Sequence, residues 1–354
     1  MSLRPRATIH LSNIVDNWRR LNAHSGPGGA GAVVKADAYG HGVGPVSKAL
    51  SNAGCQAFFV AYGFEGAQVR HAVGEGPDIF VFNGLGAISA EEIKESDLIP
   101  VLNSLADISD WVGLRSEAPF ALHIDTGMNR LGVRTEAIDR AVELLGDHAP
   151  VLLMTHYACA DDPASPASRQ QMTAFKAAAA TFPGVPLSVS NSAAQWLHAD
   201  MRLGLSRPGI ALYGGGNSPA RPQDLLPGMS LEAPILQVQK LPRGEAVGYG
   251  ACYKTDQPAV IATVALGYGD GFLRSLSNCG FGFLGDIRCP IVGRVSMDLT
   301  TIDVTAAYPL AKPGRWVEFI GSQADLELQA NAAGTLGYEL ITGLGPRVER
   351  FYEY

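Results

Sequence analysis

Charge is scarce in this sequence of 354 residues: Asp, Glu, Lys and Arg together make up 17%, below the roughly 25% common in soluble domains. That shortage points to extensive burial, in the fold or at a subunit interface. The balance is acidic, with a formal net charge of −7. Nucleic acids and anionic membrane surfaces call for basic patches, so neither is expected as a partner. Cysteine is sparse and odd in number. Cys55, Cys159, Cys252, Cys279 and Cys289 show no C-x-x-C spacing, which argues against a disulfide framework and against a zinc site. No metal is expected. No apolar run approaches the ~18 residues of a membrane span. Met1 to Ser12 carry arginines but no apolar core segment, so no signal peptide is read there. Hydrophobic residues, by contrast, reach 47%, enough for a large core and too many for wholesale disorder. A cytoplasmic enzyme is the expectation.

Short apolar runs alternate with helical segments up to about residue 215. The runs are Gly31–Lys35, Ala57–Val60, Asp78–Phe82, Leu98–Leu102, Phe120–Asp125, Val151–His156, Leu187–Asn191 and Leu203–Arg207. Amphipathic stretches such as Val43–Ala53, Ser89–Ser96, Thr135–Leu145 and Ser168–Phe182 lie between them. Helices that alternate with all-apolar strands imply parallel pairing, because both sheet faces are covered. Eight strands close a (β/α)8 barrel. For the eighth, Ile210–Tyr213 competes with Leu203–Arg207. The proline-rich stretch Asn217–Gly228 reads as a domain edge. Beyond it, Ile235–Leu241, Ala259–Leu266, Ile287–Val295, Leu299–Val304 and Trp316–Gly321 read as β-strands, with a late helix near Leu326–Ala333. The expected fold is therefore α/β: an N-terminal (β/α)8 barrel over residues 1–228, and a mainly antiparallel β domain over residues 229–354.

Gly26, Gly28 and Gly31 satisfy G-x-G-x-x-G, but they precede a strand, and a dinucleotide fingerprint must follow one. The lysines are more informative. Of the seven, only Lys35 ends an apolar strand, in Ala-Val-Val-Lys-Ala-Asp-Ala-Tyr-Gly-His-Gly. An ammonium there is costly unless it is paired or made neutral. A lysine desolvated at a barrel rim can form a Schiff base with a carbonyl; equally, it can be one half of a buried ion pair with an acid such as Asp37. Tyr39 lies on the same rim.

The run Val34-Lys35-Ala36-Asp37-Ala38-Tyr39-Gly40-His41-Gly42 resembles the pyridoxal-phosphate lysine motif of the alanine racemases. The resemblance continues through Asp125–Gly132, Thr155–Ala158, Asn191-Ser192-Ala193, Arg207–Ile210, Val247–Gly250, Gly267–Gly271 and Gly293–Asp298. It implies pyridoxal 5'-phosphate bound to Lys35, with a cofactor-binding set of Tyr39, His156, Asn191, Ser192, Arg207, Gly209 and Ile210. Backbone N–H groups near helix starts favour an anion, and barrels commonly bind phosphate after strands seven and eight. By resemblance, Tyr39, Ser192, Gly209 and Ile210 form that cup; a helix cap is a compatible second role for Ser192. Arg207 resembles the arginine facing the pyridine nitrogen. Its permanent charge disfavours protonation there, which suits racemisation better than decarboxylation. Taken alone, Arg207 also reads as a surface or ion-paired arginine, and His156 as a structural histidine.

The resemblance further implies a homodimer with shared active sites and two bases. Lys35 is one. Tyr249, supplied across the interface, is the other, with His156 bonded to it and linked to Arg207. A phenol is a weak acid, so it needs such help to act as a base. Arg130 and the backbone N–H of Met297 resemble the substrate-carboxylate contacts. Tyr268 resembles an entrance gate, with Asp161, Arg274, Arg294 and Asp298 as a polar corridor; as loop charges these four also read as plain solvated groups. Two departures stand out. Many family members place a carbamylated lysine where this sequence has His123, and a histidine cannot copy its negative charge. Some carry a tyrosine before an Arg-Val pair where Pro346 precedes Arg347-Val348. The function expected is alanine racemisation. A broad-specificity amino-acid racemase and a non-catalytic pyridoxal-phosphate-binding homeostasis protein are the rival readings.

Overall fold

The structure is a computed structural model that describes residues 3–114, 117–216, 218–219, 222 and 224–354. Two compact units are present: Ile14–Leu212 with Gly216–Leu225, and Met1–Asn13 with Tyr213–Gly215 and Leu226–Tyr354. Among the described residues, no helix is long and apolar enough to cross a membrane.

The first unit is the barrel. Parallel strands run in the order Ala32–Val33, Ala57–Val60, Asp78–Val81, Ile99–Leu102, Ala121–Asp125, Leu152–Met154 and Leu187–Ser188. Ala57–Val60, Ile99–Leu102 and Leu152–Met154 are buried at every position, as a sheet covered on both faces requires. Closure falls to the segment 203–207, which is too irregular to count as a strand. Leu205 N–H donates to Leu187 O and Arg207 N–H to Ser190 O on one side. On the other, Ser206 N–H donates to Gly29 O, and Gly31 N–H to Ser206 O. The eighth staves of the barrel are thus separate bridges, and Ile210–Tyr213 is a 3-10 turn. Helices such as Val43–Asn52, Gly63–Val73, Leu105–Gly113 and Ala167–Ala179 follow the strands.

The second unit is a mainly antiparallel sheet built around Met229–Leu241, which pairs with Ala259–Val264 and with Trp316–Ile320. Its other neighbour brings in the start of the chain, which was expected in a barrel over residues 1–228. Arg6–His10 pairs antiparallel with Met229–Leu241 and parallel with Glu349–Glu353, so the first residues of the chain belong to this sheet. Ala7 and Ile9 point inward with no exposure, and the alternation of Arg6–His10 between buried and part-buried is that of a one-face-covered strand.

Candidate functional site

Lys35 follows the Ala32–Val33 strand after one residue, Val34, and opens a turn of unusual hand. Ala36, Asp37, Ala38 and Tyr39 all lie in the left-handed helical region, with φ of 52°, 54°, 51° and 54°. Each non-glycine residue there costs roughly 1–2 kcal/mol, so the turn must be held from outside. Glu65 Oε1 accepts the Ala36 N–H at 2.7 Å, and Asp37 Oδ1 accepts the Val43 N–H at 2.8 Å. Asp37 is therefore occupied with the backbone, and among the described residues Lys35 forms no ion pair with it. Burial first, and then the Arg130 charge, lower the proton affinity of the Lys35 amine, while Glu65 opposes them.

The amine opens on a cavity of about 260 Å³ lined by Lys35, Phe82, His123, Arg130, His156 and Arg207 among others. Arg207 is 3% exposed. Its guanidinium donates to Ser188 Oγ at 2.5 Å and to Thr155 O at 2.6 Å, and lies 3.4 Å from His156 Nδ1. None of these partners is an acid. Burial lowers the Arg207 pKa to about 10, which leaves the side chain cationic at neutral pH. His156 is held well below its ordinary pKa by burial, then by Arg207 and Arg130, so its ring is neutral. Its Nε2 lies 3.4 Å from Asn191 Nδ2.

His123 takes a different partner. Asn103 Nδ2 donates to Phe82 O and Val101 O, which turns Asn103 Oδ1 toward His123 Nδ1 at 2.8 Å. An amide oxygen only accepts, so His123 carries a proton on Nδ1. Burial, with Arg207 and Arg130 adding to it against Asp125, brings the His123 pKa down to about 4. Arg130 and Arg207 so give the cavity a cationic wall, suited to an anion.

The residues expected to form a phosphate cup converge. Ser192 Oγ accepts the Gly209 N–H at 2.8 Å and the Ala211 N–H at 3.3 Å, which leaves its hydroxyl proton free to donate. It does not cap the following turn; Asn191 Oδ1 does, accepting from Ala194 N–H. A Cβ on Gly209 would stand 2.3 Å from Tyr39 Oη, so the phenol occupies space that only glycine leaves open. Ile210 begins the adjoining 3-10 turn. These features fit pyridoxal phosphate: hydroxyl donors for its phosphate, an amine for its aldehyde and a cation without an acidic partner for its ring nitrogen.

Arg130 and Asp161 are exposed on the barrel unit. The remaining expected residues sit on the β unit. Tyr249 is 73% and Met297 54% exposed. Tyr249 and Arg294 line one depression with Ser296 and Thr301. Tyr268 N–H donates to Ser296 O and Gly269 N–H to Met297 O, which joins the Tyr268 turn to the Met297 loop. Arg347 binds Asp270 and Asp298, each at 2.8 Å, and ties the same two segments together. Arg274 lies in an adjacent 3-10 turn.

Sequence reasoning missed Glu65, Asn103, Thr155, Ser188 and Gln171. Gln171 Nε2 donates to His156 O and its Oε1 accepts from Ala158 N–H, steadying the segment that carries His156. For Glu65 a signal existed: it stands three residues after Tyr62, at capping-box spacing.

The chain matches the family models "Alanine racemase, N-terminal domain" over residues 9–217 and "Alanine racemase, C-terminal domain" over residues 228–352. It is 42% identical to "Alanine racemase" of Rhizobium meliloti over 375 residues, covering 99% of this chain and 97% of that one. Among solved structures it is similar to "Crystal structure of alanine racemase from Bartonella henselae with covalently bound pyridoxal phosphate". That similarity has a TM-score of 0.93 and 34% identity, over 99% of this chain and 100% of the other. It is also similar to the biosynthetic alanine racemase from Pseudomonas aeruginosa, with a TM-score of 0.92 and 32% identity over 100% of both chains. Matched from residue 9 to residue 352 in both domains, this protein belongs to the alanine racemase family.

Proposed function

We infer that this protein interconverts L-alanine and D-alanine with pyridoxal phosphate carried on Lys35. The observation that carries the cofactor reading is the placing of one amine, just beyond a buried strand, over a cavity whose buried arginine has only neutral partners. Pyridoxal phosphate, when bound, supplies an electron sink for the pair left at the substrate Cα. Arg207, a buried cation without an acidic partner, would serve the ring nitrogen and disfavour its protonation. Tyr39, Ser192, Gly209 and Ile210 would hold the cofactor's phosphate, and Arg130 would draw in the substrate carboxylate.

A racemase needs a proton carrier on each face of Cα. Lys35 serves one face. For the other we assign Tyr249 of the partner subunit in a homodimer, with neutral His156 as hydrogen-bond partner to its phenol. The partner's Met297 offers its N–H to the carboxylate. The exposure of Tyr249 and Met297 on their own unit supports this: both stand ready for another surface. Five free cysteines suit the reducing cytoplasm. Asp161, Arg274, Arg294, Tyr268 and Asp298 are assigned to the approach.

The test is borohydride reduction of the cofactor-loaded protein, peptide mapping, and turnover of L-alanine to D-alanine. A pyridoxyl label on Lys35 with racemisation is expected. Label on any other lysine removes the assignment. Turnover of serine or lysine rivalling alanine would favour a broad-specificity racemase, and absence of solvent deuterium at Cα would favour a binding protein.

A further inference from the structure

Glu65 takes no part in the mechanism above, yet it is 7% exposed and sits beside Lys35. Its two oxygens serve two separate segments. Oε1 accepts the Ala36 N–H at 2.7 Å; Oε2 accepts the Ala61 N–H at 2.8 Å and the Tyr62 N–H at 3.2 Å. Ala61 and Tyr62 follow the Ala57–Val60 strand, which pairs in parallel with the strand before Lys35. One carboxylate therefore binds the first left-handed residue after Lys35 to the rim of the neighbouring strand. Among the described residues its hydrogen-bond partners are backbone amides, so its negative charge is solvated by dipoles and not cancelled in an ion pair.

We propose that Glu65 is the positioning residue for Lys35: it fixes where the amine emerges over the cavity through the Ala36 amide, and it places a fixed negative charge beside that amine. The proposal rests on the reading of Lys35 as the cofactor-bearing and proton-carrying residue. Glu65 touches neither substrate nor cofactor in it. The charged and titratable groups around Lys35 are Arg130, Arg207, His123 and His156 on the cavity wall, Asp37 on its own turn, engaged with Val43 N–H, and Glu65. Burial and Arg130 weaken the amine as a base, and Glu65 restores part of that strength. An amine that must collect a proton from carbon needs both terms: enough desolvation to be neutral, enough basicity to accept.

The experiment uses the full chain freed of cofactor, with the acetylation rate of Lys35 by acetic anhydride followed against pH and read on the Lys35 peptide. Glu65→Gln removes the charge at nearly constant size. The Lys35 midpoint should fall by about one pH unit or more, the scale on which a nearby opposite charge acts. Asp37→Asn should leave it in place. Equal midpoints in wild type and Glu65→Gln, or an equal fall in Asp37→Asn, overturn the proposal. Should Glu65→Gln not fold, Glu65→Asp carries the test. The charge stays while the shorter arm cannot reach both segments, so the midpoint should hold while the borohydride yield on Lys35 from added pyridoxal phosphate drops. A fallen midpoint, or an undiminished yield, in Glu65→Asp refutes it. Borohydride labelling of wild type elsewhere than Lys35 would instead defeat the cofactor reading, and the acetylation result would still stand by itself.

Discussion

Acid should destabilise the barrel through His123, by an amount the structure sets. In the unfolded chain an imidazole titrates near 6.5; in the folded protein His123 is brought down to about 4. The unfolded state therefore takes up the proton first as pH falls. Stability is fully present above about pH 6.5, declines between 6.5 and 4, and has lost the whole contribution below that. With those two values, linkage gives a loss of about 1 kcal/mol at pH 5.5 and about 2–3 kcal/mol at pH 4.5. His123→Gln removes the titrating ring and keeps an amide to meet Asn103. The assay is urea unfolding of cofactor-free wild type and variant across that range, followed by tryptophan fluorescence. Trp18, Trp111 and Trp196, three of the four tryptophans, lie in the barrel unit. His123 also helps to lower the His156 pKa, so both proteins are compared in a His156→Gln background. There the advantage of the form that keeps His123 should shrink by about 2–3 kcal/mol between pH 7.5 and 4.5. A difference that does not vary with pH would refute the reasoning, because it would mean that the folded ring accepts a proton as readily as the unfolded one.

Gly209→Ala would press a methyl against the Tyr39 phenol, 2.3 Å from Oη and 2.9 Å from Cζ. Overpacking of this kind costs about 1–3 kcal/mol, so pyridoxal phosphate should bind roughly tenfold or more weakly on titration; unchanged affinity would remove Gly209 from the cup. In Tyr249→Phe, both directions of racemisation should fall by about 10²–10⁴. In deuterated water the variant should still exchange the Cα proton of D-alanine through Lys35, while that of L-alanine nearly vanishes; equal residual exchange would show that one group serves both faces. Mixing Lys35→Ala with Tyr249→Phe protomers should restore one working site per heterodimer, and a demonstrated heterodimer without activity would argue against shared sites.

The alternation of apolar runs and helices was legible as a barrel because parallel strands must be apolar on both faces, and Lys35 stood out because a charged residue ends such a run. The left-handed turn behind it was not legible. Ala-Asp-Ala-Tyr contains no glycine, and of its residues only the aspartate enters that conformation at all readily; hydrogen bonds to Asp37 and to Glu65 hold the turn, and the one to Glu65 depends on tertiary placement. The eighth strand was ambiguous for a physical reason, since its hydrogen bonds are scattered bridges at Leu205, Ser206 and Arg207. Of the candidate site, Tyr39, Ser192 and Gly209 were named through the family resemblance, and the structure brings these three together. The allegiance of the first strand was not legible, because Arg6–His10 is too short and too polar to announce which sheet it joins.

That strand has a consequence for how the chain is built. Arg6–His10 leaves the ribosome early, but its antiparallel neighbour begins at Met229 and its parallel neighbour ends at Glu353. The barrel is in effect an insertion, some two hundred residues long, between the first strand of a sheet and the rest of it. Since domains tend to fold as units in the order they are made, the barrel segment 14–212 can close while Arg6–His10 still lacks both partners. The sheet then completes only when residues 349–353 arrive. Loss of those few residues would leave one edge of the first strand without its ladder, and an unpaired edge is an open template for other chains.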